Sequence, residues 1–173
     1  MKTTRALLTI LGLLVSVVIE SVWLTTMGLP GAVPPLTLVV VLSLAMLRTP
    51  PNAALIGFLV GVLVDLVPPS ETPVGVSAFV FALAAFAISY WRNLLEGSTF
   101  LTLAAFTLAA FGAFTVRIFM VLGIGAPSDP VDQLFADVVT SPLYAVMLAT
   151  IVLPLTRVVS RLTAGQRPQN IYR

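Results

Sequence analysis

The chain has 173 residues, 58% of them hydrophobic and only 9% charged, with a mean hydropathy of +1.07. So few charges cannot cover a water-facing surface, which excludes a soluble globular domain and leaves one integral membrane domain. With no cysteine and no histidine, disulfides and thiol chemistry are excluded, and the commonest general base and metal ligand are missing.

A spanning helix needs roughly 20 apolar residues. Lys2 and Arg5 open the chain and lead into an apolar run broken only by Glu20, which predicts a first span over 5–27. The run is longer than a signal-peptide core and no small-x-small cleavage pattern follows before Pro30, so it reads as an uncleaved helix. Gly28, Pro30, Gly31, Pro34 and Pro35 then mark a turn. A second span over 32–47 closes at Arg48. To reach across, it has to take the prolines into its first turn, where a missing N–H costs little.

Pro50 and Pro51 open a third span over 50–67, and a tight turn through Pro68, Pro69 and Pro73 leads to a fourth over 74–91. Arg92 to Gly97 reads as a polar loop before a fifth span over 98–123. Beyond Gly125 to Pro130, the mixed segment Val131 to Val139 is expected to lie at the membrane interface ahead of a sixth span over 138–160. A basic tail, 161–173, follows. The expected fold is all-α, a polytopic membrane protein with six transmembrane helices in one bundle.

Such a topology puts Lys2, Arg5, Arg48, Arg92, Arg157, Arg161, Arg167 and Arg173 on the side of the termini. The opposite loops hold Glu71, Asp129 and Asp132 and no Lys or Arg. By the positive-inside rule, both termini are cytoplasmic.

Four charges fall within or beside the spans: Glu20, Asp65, Arg117 and Asp137. At a rise of ~1.5 Å per residue, Glu20 lies ~22 Å from Arg5 and Asp65 ~21 Å from Pro51, so both reach the outer third of a ~30 Å core. Arg117 reaches a similar depth, and Ser141 and Tyr144 extend a polar stripe from Asp137. A polar cluster at one depth would hold helices in register, or line a site for a partner's helix or a lipid headgroup. Snorkelling of Arg117 toward headgroups would explain the same charge. Ala110 and Ala113 share the Arg117 face, which favours an inward side chain pairing with Asp65 first and Glu20 second.

Gly57, Gly61 and Asp65 recur at steps of four and share one helix face. Gly57 and Gly61 form GxxxG, which suits close helix packing, within the chain or against a partner. No nucleophile elbow, phosphate-binding glycine loop or acidic metal motif is present. No enzyme activity, cofactor, metal or nucleic-acid partner is therefore expected.

The string GFLVGVLVDLVPPSETPVGVSAF resembles the rod shape-determining protein MreD family, in Gly57, Gly61 and Asp65 and in the loop positions Pro73, Gly75 and Ala78. Pro68, Pro69 and Glu71 depart from the glycine-rich loop of many relatives. The resemblance implies a non-enzymatic component of the bacterial cell-elongation machinery in the cytoplasmic membrane. Its partners would be an MreC-like bitopic protein and, directly or indirectly, RodA, a class B penicillin-binding protein and MreB. That family is similar in fold to the six-helix substrate-binding subunits of energy-coupling-factor transporters. The alternative reading is thus a vitamin-type binding subunit, although the Ala-x-x-x-Ala face those proteins carry on the first helix is reduced here to Ala6.

Overall fold

The structure, a computed structural model, describes residues 2–24, 33–67, 74–95, 97–124 and 131–163, nearly all of them helical, with no strand among them. Helix α1 (Lys2–Val18) runs into a π-helical segment, Ile19–Leu24, whose wider turn carries Glu20. Then come α2 (Leu36–Ala45), α3 (Pro50–Leu66), α4 (Val76–Tyr90), the single turn α5 (Arg92–Leu95), α6 (Thr99–Ile124) and α7 (Val131–Thr163).

Helix α2 is the hub, touching α1, α3, α4, α6 and α7. Its sequence, LTLVVVLSLA, offers no polar face to water, as suits a core helix or a membrane span. Thr37, Leu38, Val39, Val41, Leu42, Ser43 and Ala45 are all buried. Buried Ser43 and Thr102 each bond a backbone carbonyl: the Ser43 hydroxyl donates to Val39 within α2 at 2.8 Å, and the Thr102 hydroxyl donates from α6 to Leu95 on α5 at 2.8 Å.

Around this hub, α3 and α4 form one intimate hairpin and α6 and α7 another. Buried Phe106, Ala110 and Ala113 on α6, and Ala145 and Ala149 on α7, let the helices of the second hairpin close on the core. Helix α1 is peripheral; Leu13, Ser16 and Val17 face inward while Ile10, Leu11, Leu14, Val15 and Val18 are exposed. Large apolar side chains cover much of the outer surface, with Phe100, Leu108, Phe119, Met147 and Ile151 all open. Within α6 and α7, Thr99–Met120 (22 residues) and Val138–Thr156 (19 residues) are long and apolar enough to cross a membrane. Shorter apolar helices occupy Thr9–Val22, Leu36–Ala45, Pro50–Leu66 and Val76–Tyr90.

Three features differ from the sequence-based expectation. The second helix does not begin near Ala32: Val33 to Pro35 are not helical, and α2 has only 10 residues, ~15 Å of rise. The prolines precede the helix rather than entering it, because the Leu36 N–H bonds the Pro34 carbonyl at 2.8 Å in a local turn. The stretch from Val131 is not separate from the last helix but its first two turns, giving α7 a length of 33 residues with Pro142 and Pro154 inside it. Finally, Arg92–Leu95 forms a helical turn where a loop was expected.

Candidate functional site at buried helix ends

The first N–H groups of a helix have no partner within it, and in a bilayer no water replaces one. Helices that start below the membrane surface therefore need acceptors from elsewhere in the chain. Helix α4 starts at Gly75, which has φ 106° and no side chain with which to cap. The acceptor is Asp65, near the end of the preceding helix. Its Oδ2 accepts from Gly75 N–H at 2.7 Å and Ala78 N–H at 3.4 Å, and its Oδ1 from Ser77 N–H at 3.3 Å. A carboxylate on a helix N-terminus also meets the positive end of the helix dipole.

The glycines preceding Asp65 complete the contact. A β-carbon on Gly57 would lie 2.5 Å from the Phe81 carbonyl oxygen, and one on Gly61 would lie 2.5 Å from the Ser77 carbonyl oxygen and run into the Ala78 Cα. Only a missing side chain permits so close an approach. Steps of four up α3 thus meet steps of about four down α4: Gly57 with Phe81, Gly61 with Ser77 and Ala78, and Asp65 with Gly75. Gly57, Gly61, Asp65, Gly75 and Ala78 form one antiparallel clasp. Pro73 lies outside the described residues.

Helix α2 is held at both ends in the same way. At its start, Glu20 Oε2 accepts from the Thr37 N–H at 2.6 Å. The fully buried Thr37 hydroxyl lies beside this carboxylate without reaching hydrogen-bond geometry, and the charge of Arg117 acts on it through space. Arg117 is half-buried on the α6 face that continues from Phe106, Ala110 and Ala113. Just beyond the other end of α2, the Arg48 carbonyl accepts from the Ser89 hydroxyl at 2.7 Å and from Arg92 Nη1 at 2.9 Å. An acid at the N-terminus and a base near the C-terminus oppose the charges of the α2 dipole.

Both acids of the expected cluster thus bind backbone at a helix start, Asp65 on α4 and Glu20 on α2. Orphan N–H groups at a helix start are strong partners for a carboxylate, because a hydrogen bond to an ionised acceptor is shorter and stronger than a neutral one. Asp137 lies in α7 and its side chain is outside the described residues, whereas Ser141 is buried and Tyr144 half-buried on the same helix. Thr37 and Ser89 carry no signal of this role in the sequence, where Arg92 counts only as a charge on the side of the termini. The only signals nearby are the proline pair ahead of Thr37 and a lone arginine after an apolar run. Among the described residues, no group of three His, Cys, Asp or Glu could hold a metal ion. What these polar groups do is fix where helices begin and end.

No curated protein matches the chain, and no solved structure matches it. The family model for rod shape-determining protein MreD matches residues 1–162, a span that takes in the α3–α4 clasp, both capped ends of α2 and the α6–α7 hairpin. On that match over nearly its whole length, the chain belongs to the rod shape-determining protein MreD family.

Proposed function

We propose that this chain is a non-enzymatic scaffold of the rod-shape machinery that crosses the cytoplasmic membrane six times, with α1, α2, α3, α4, α6 and α7 as the spans. Both termini face the cytoplasm, and an MreC-like single-span protein docks on the bundle, bringing it together with RodA, a class B penicillin-binding protein and MreB. Family membership is the observation that carries this reading: it makes the chain a membrane protein of the rod-shape machinery. The charge asymmetry between the two sets of loops supports the topology. The absence of histidine and cysteine supports a binding role over a catalytic one.

Gly57 and Gly61 contribute to docking only through the hairpin, since α4 already fills their face. The partner's helix lies against the exposed apolar sides of the bundle, where close packing rather than hydrophobic drive decides affinity. The direct test is co-purification of the full chain with a tagged MreC-like protein, without ATP or metal. A stable complex is expected. Failure to form it, with a vitamin retained at submicromolar affinity instead, would replace this reading with the transporter alternative.

A further inference from the structure

Arg48 and Arg92 are held together at one point of the bundle surface, because Arg92 Nη1 donates to the Arg48 carbonyl at 2.9 Å. The Arg48 side chain is exposed, and Arg92 uses one guanidinium nitrogen for this bond, leaving its remaining donors without a partner among the described residues. Neither arginine forms an ion pair with a carboxylate among the described residues. A guanidinium held on the backbone of a second, exposed arginine favours an anion within reach of both side chains.

Their surroundings select the kind of anion. Leu47 next to Arg48 is 45% exposed, and Tyr90, Trp91 and Leu94 around Arg92 are 64%, 55% and 67% exposed. Tyr90 and Trp91 meet edge to face with ring centroids 6.1 Å apart. Open aromatic rings beside arginines are what a membrane–water interface selects, with the rings at headgroup level. A small water-borne anion has no use for such an apolar rim, but an amphiphile does.

We propose that Arg48 and Arg92, rimmed by Leu47, Tyr90, Trp91 and Leu94, form a binding site for the phosphate-bearing headgroup of an anionic membrane lipid. The guanidinium forks grip the phosphate oxygens, and the acyl chains run down the exposed side of the bundle. The site is independent of the docking proposed above, since it needs no protein partner.

Trp91 is a built-in reporter, one of two tryptophans in the chain. The full chain carrying Trp23→Phe, in mixed micelles, is titrated with brominated phosphatidylglycerol or brominated phosphatidylcholine, and quenching of Trp91 is followed. Phosphatidylglycerol should quench at several-fold lower mole fraction. Arg48→Gln should reduce that preference about fivefold, as expected for one cation near a charged lipid surface, and adding Arg92→Gln should abolish it. Counting phosphatidylglycerol retained by the unsubstituted chain and by Arg48→Gln in native mass spectrometry gives the same comparison without Trp23→Phe. The Arg48 side chain is exposed, so its substitution leaves the fold intact. Glu96→Gln, which removes the acid that follows Arg92 by four residues, should leave the preference intact or raise it. Equal quenching by the two lipids, or a preference that survives both arginine substitutions, would overturn the proposal. Relief of quenching by millimolar inorganic phosphate would assign the pair to a free anion and overturn the lipid assignment.

Discussion

Replacing Gly61 by alanine adds one methyl group at the tightest point of the α3–α4 clasp. That β-carbon would sit 2.5 Å from the Ser77 carbonyl oxygen and 2.6 Å from the Ala78 nitrogen, where ordinary contact begins at 3.4 Å. Relief therefore requires 3.4 − 2.5, about 0.9 Å, of separation. The obstacle is helix backbone, so the two helices must part as bodies. Asp65 feels this directly: its bonds to Ser77 and Ala78 are already 3.3 and 3.4 Å long and would pass beyond hydrogen-bond distance. Overpacking costs about 1–3 kcal/mol, and the lost cap adds about 1 kcal/mol. For a chain of this size the sum corresponds to a fall in Tm of roughly 5–15 °C. Asp65→Ala alone should cost about 1–3 kcal/mol, because it orphans buried N–H groups. Since Gly61→Ala already breaks those bonds, the double variant should cost less than the sum of the singles, by about 1 kcal/mol. Thermal unfolding of the purified chain in detergent, followed by circular dichroism, measures all three. An unchanged Tm for Gly61→Ala, or strict additivity in the double variant, would refute the clasp. Gly12→Ala is the control; nothing lies within 4 Å of its β-carbon, so it should be neutral or stabilising by up to about 1 kcal/mol.

Arg117→Leu should lower thermal stability in detergent, and adding Glu20→Gln should restore part of it, because an unpaired buried charge is worse than no charge; strictly additive losses in the double variant would show that the two residues do not interact. Gly75→Ala has room for its β-carbon but not the backbone, φ being 106°, so it should cost about 1–2 kcal/mol, and Gly75→Asn should cost less. Reporter fusions after Thr26, Thr72 and Ser128 should read as external and those after Thr49, Ser98 and Gly165 as cytoplasmic; an external reading at Thr49 would remove α2 as a span.

Local patterns in the sequence carried much of the architecture. Hydrophobic runs of helical length, set off by Gly28 to Pro35, Pro50–Pro51, Pro68–Pro69 and Gly125 to Pro130, marked out the helices, because proline and glycine act on the backbone where they stand. Steps of four placed Gly57, Gly61 and Asp65 on one face, since the helix period is a property of the chain itself. The partner of that face was another matter. Asp65 binds the backbone N–H groups of Gly75, Ser77 and Ala78, and Glu20 binds that of Thr37, 17 residues away. Every residue but proline owns such an N–H, so no residue type marks the recipient. Arg92 reaching back to the Arg48 carbonyl, 44 residues earlier, is hidden for the same reason. The extent of α2 was likewise a tertiary decision. Its prolines are compatible with a first helical turn, yet the helix starts only at Leu36, next to where Glu20 supplies an acceptor for the Thr37 N–H. Which charges belong to a cluster and which to a helix end depends on where other helices begin in space, and packing alone sets that.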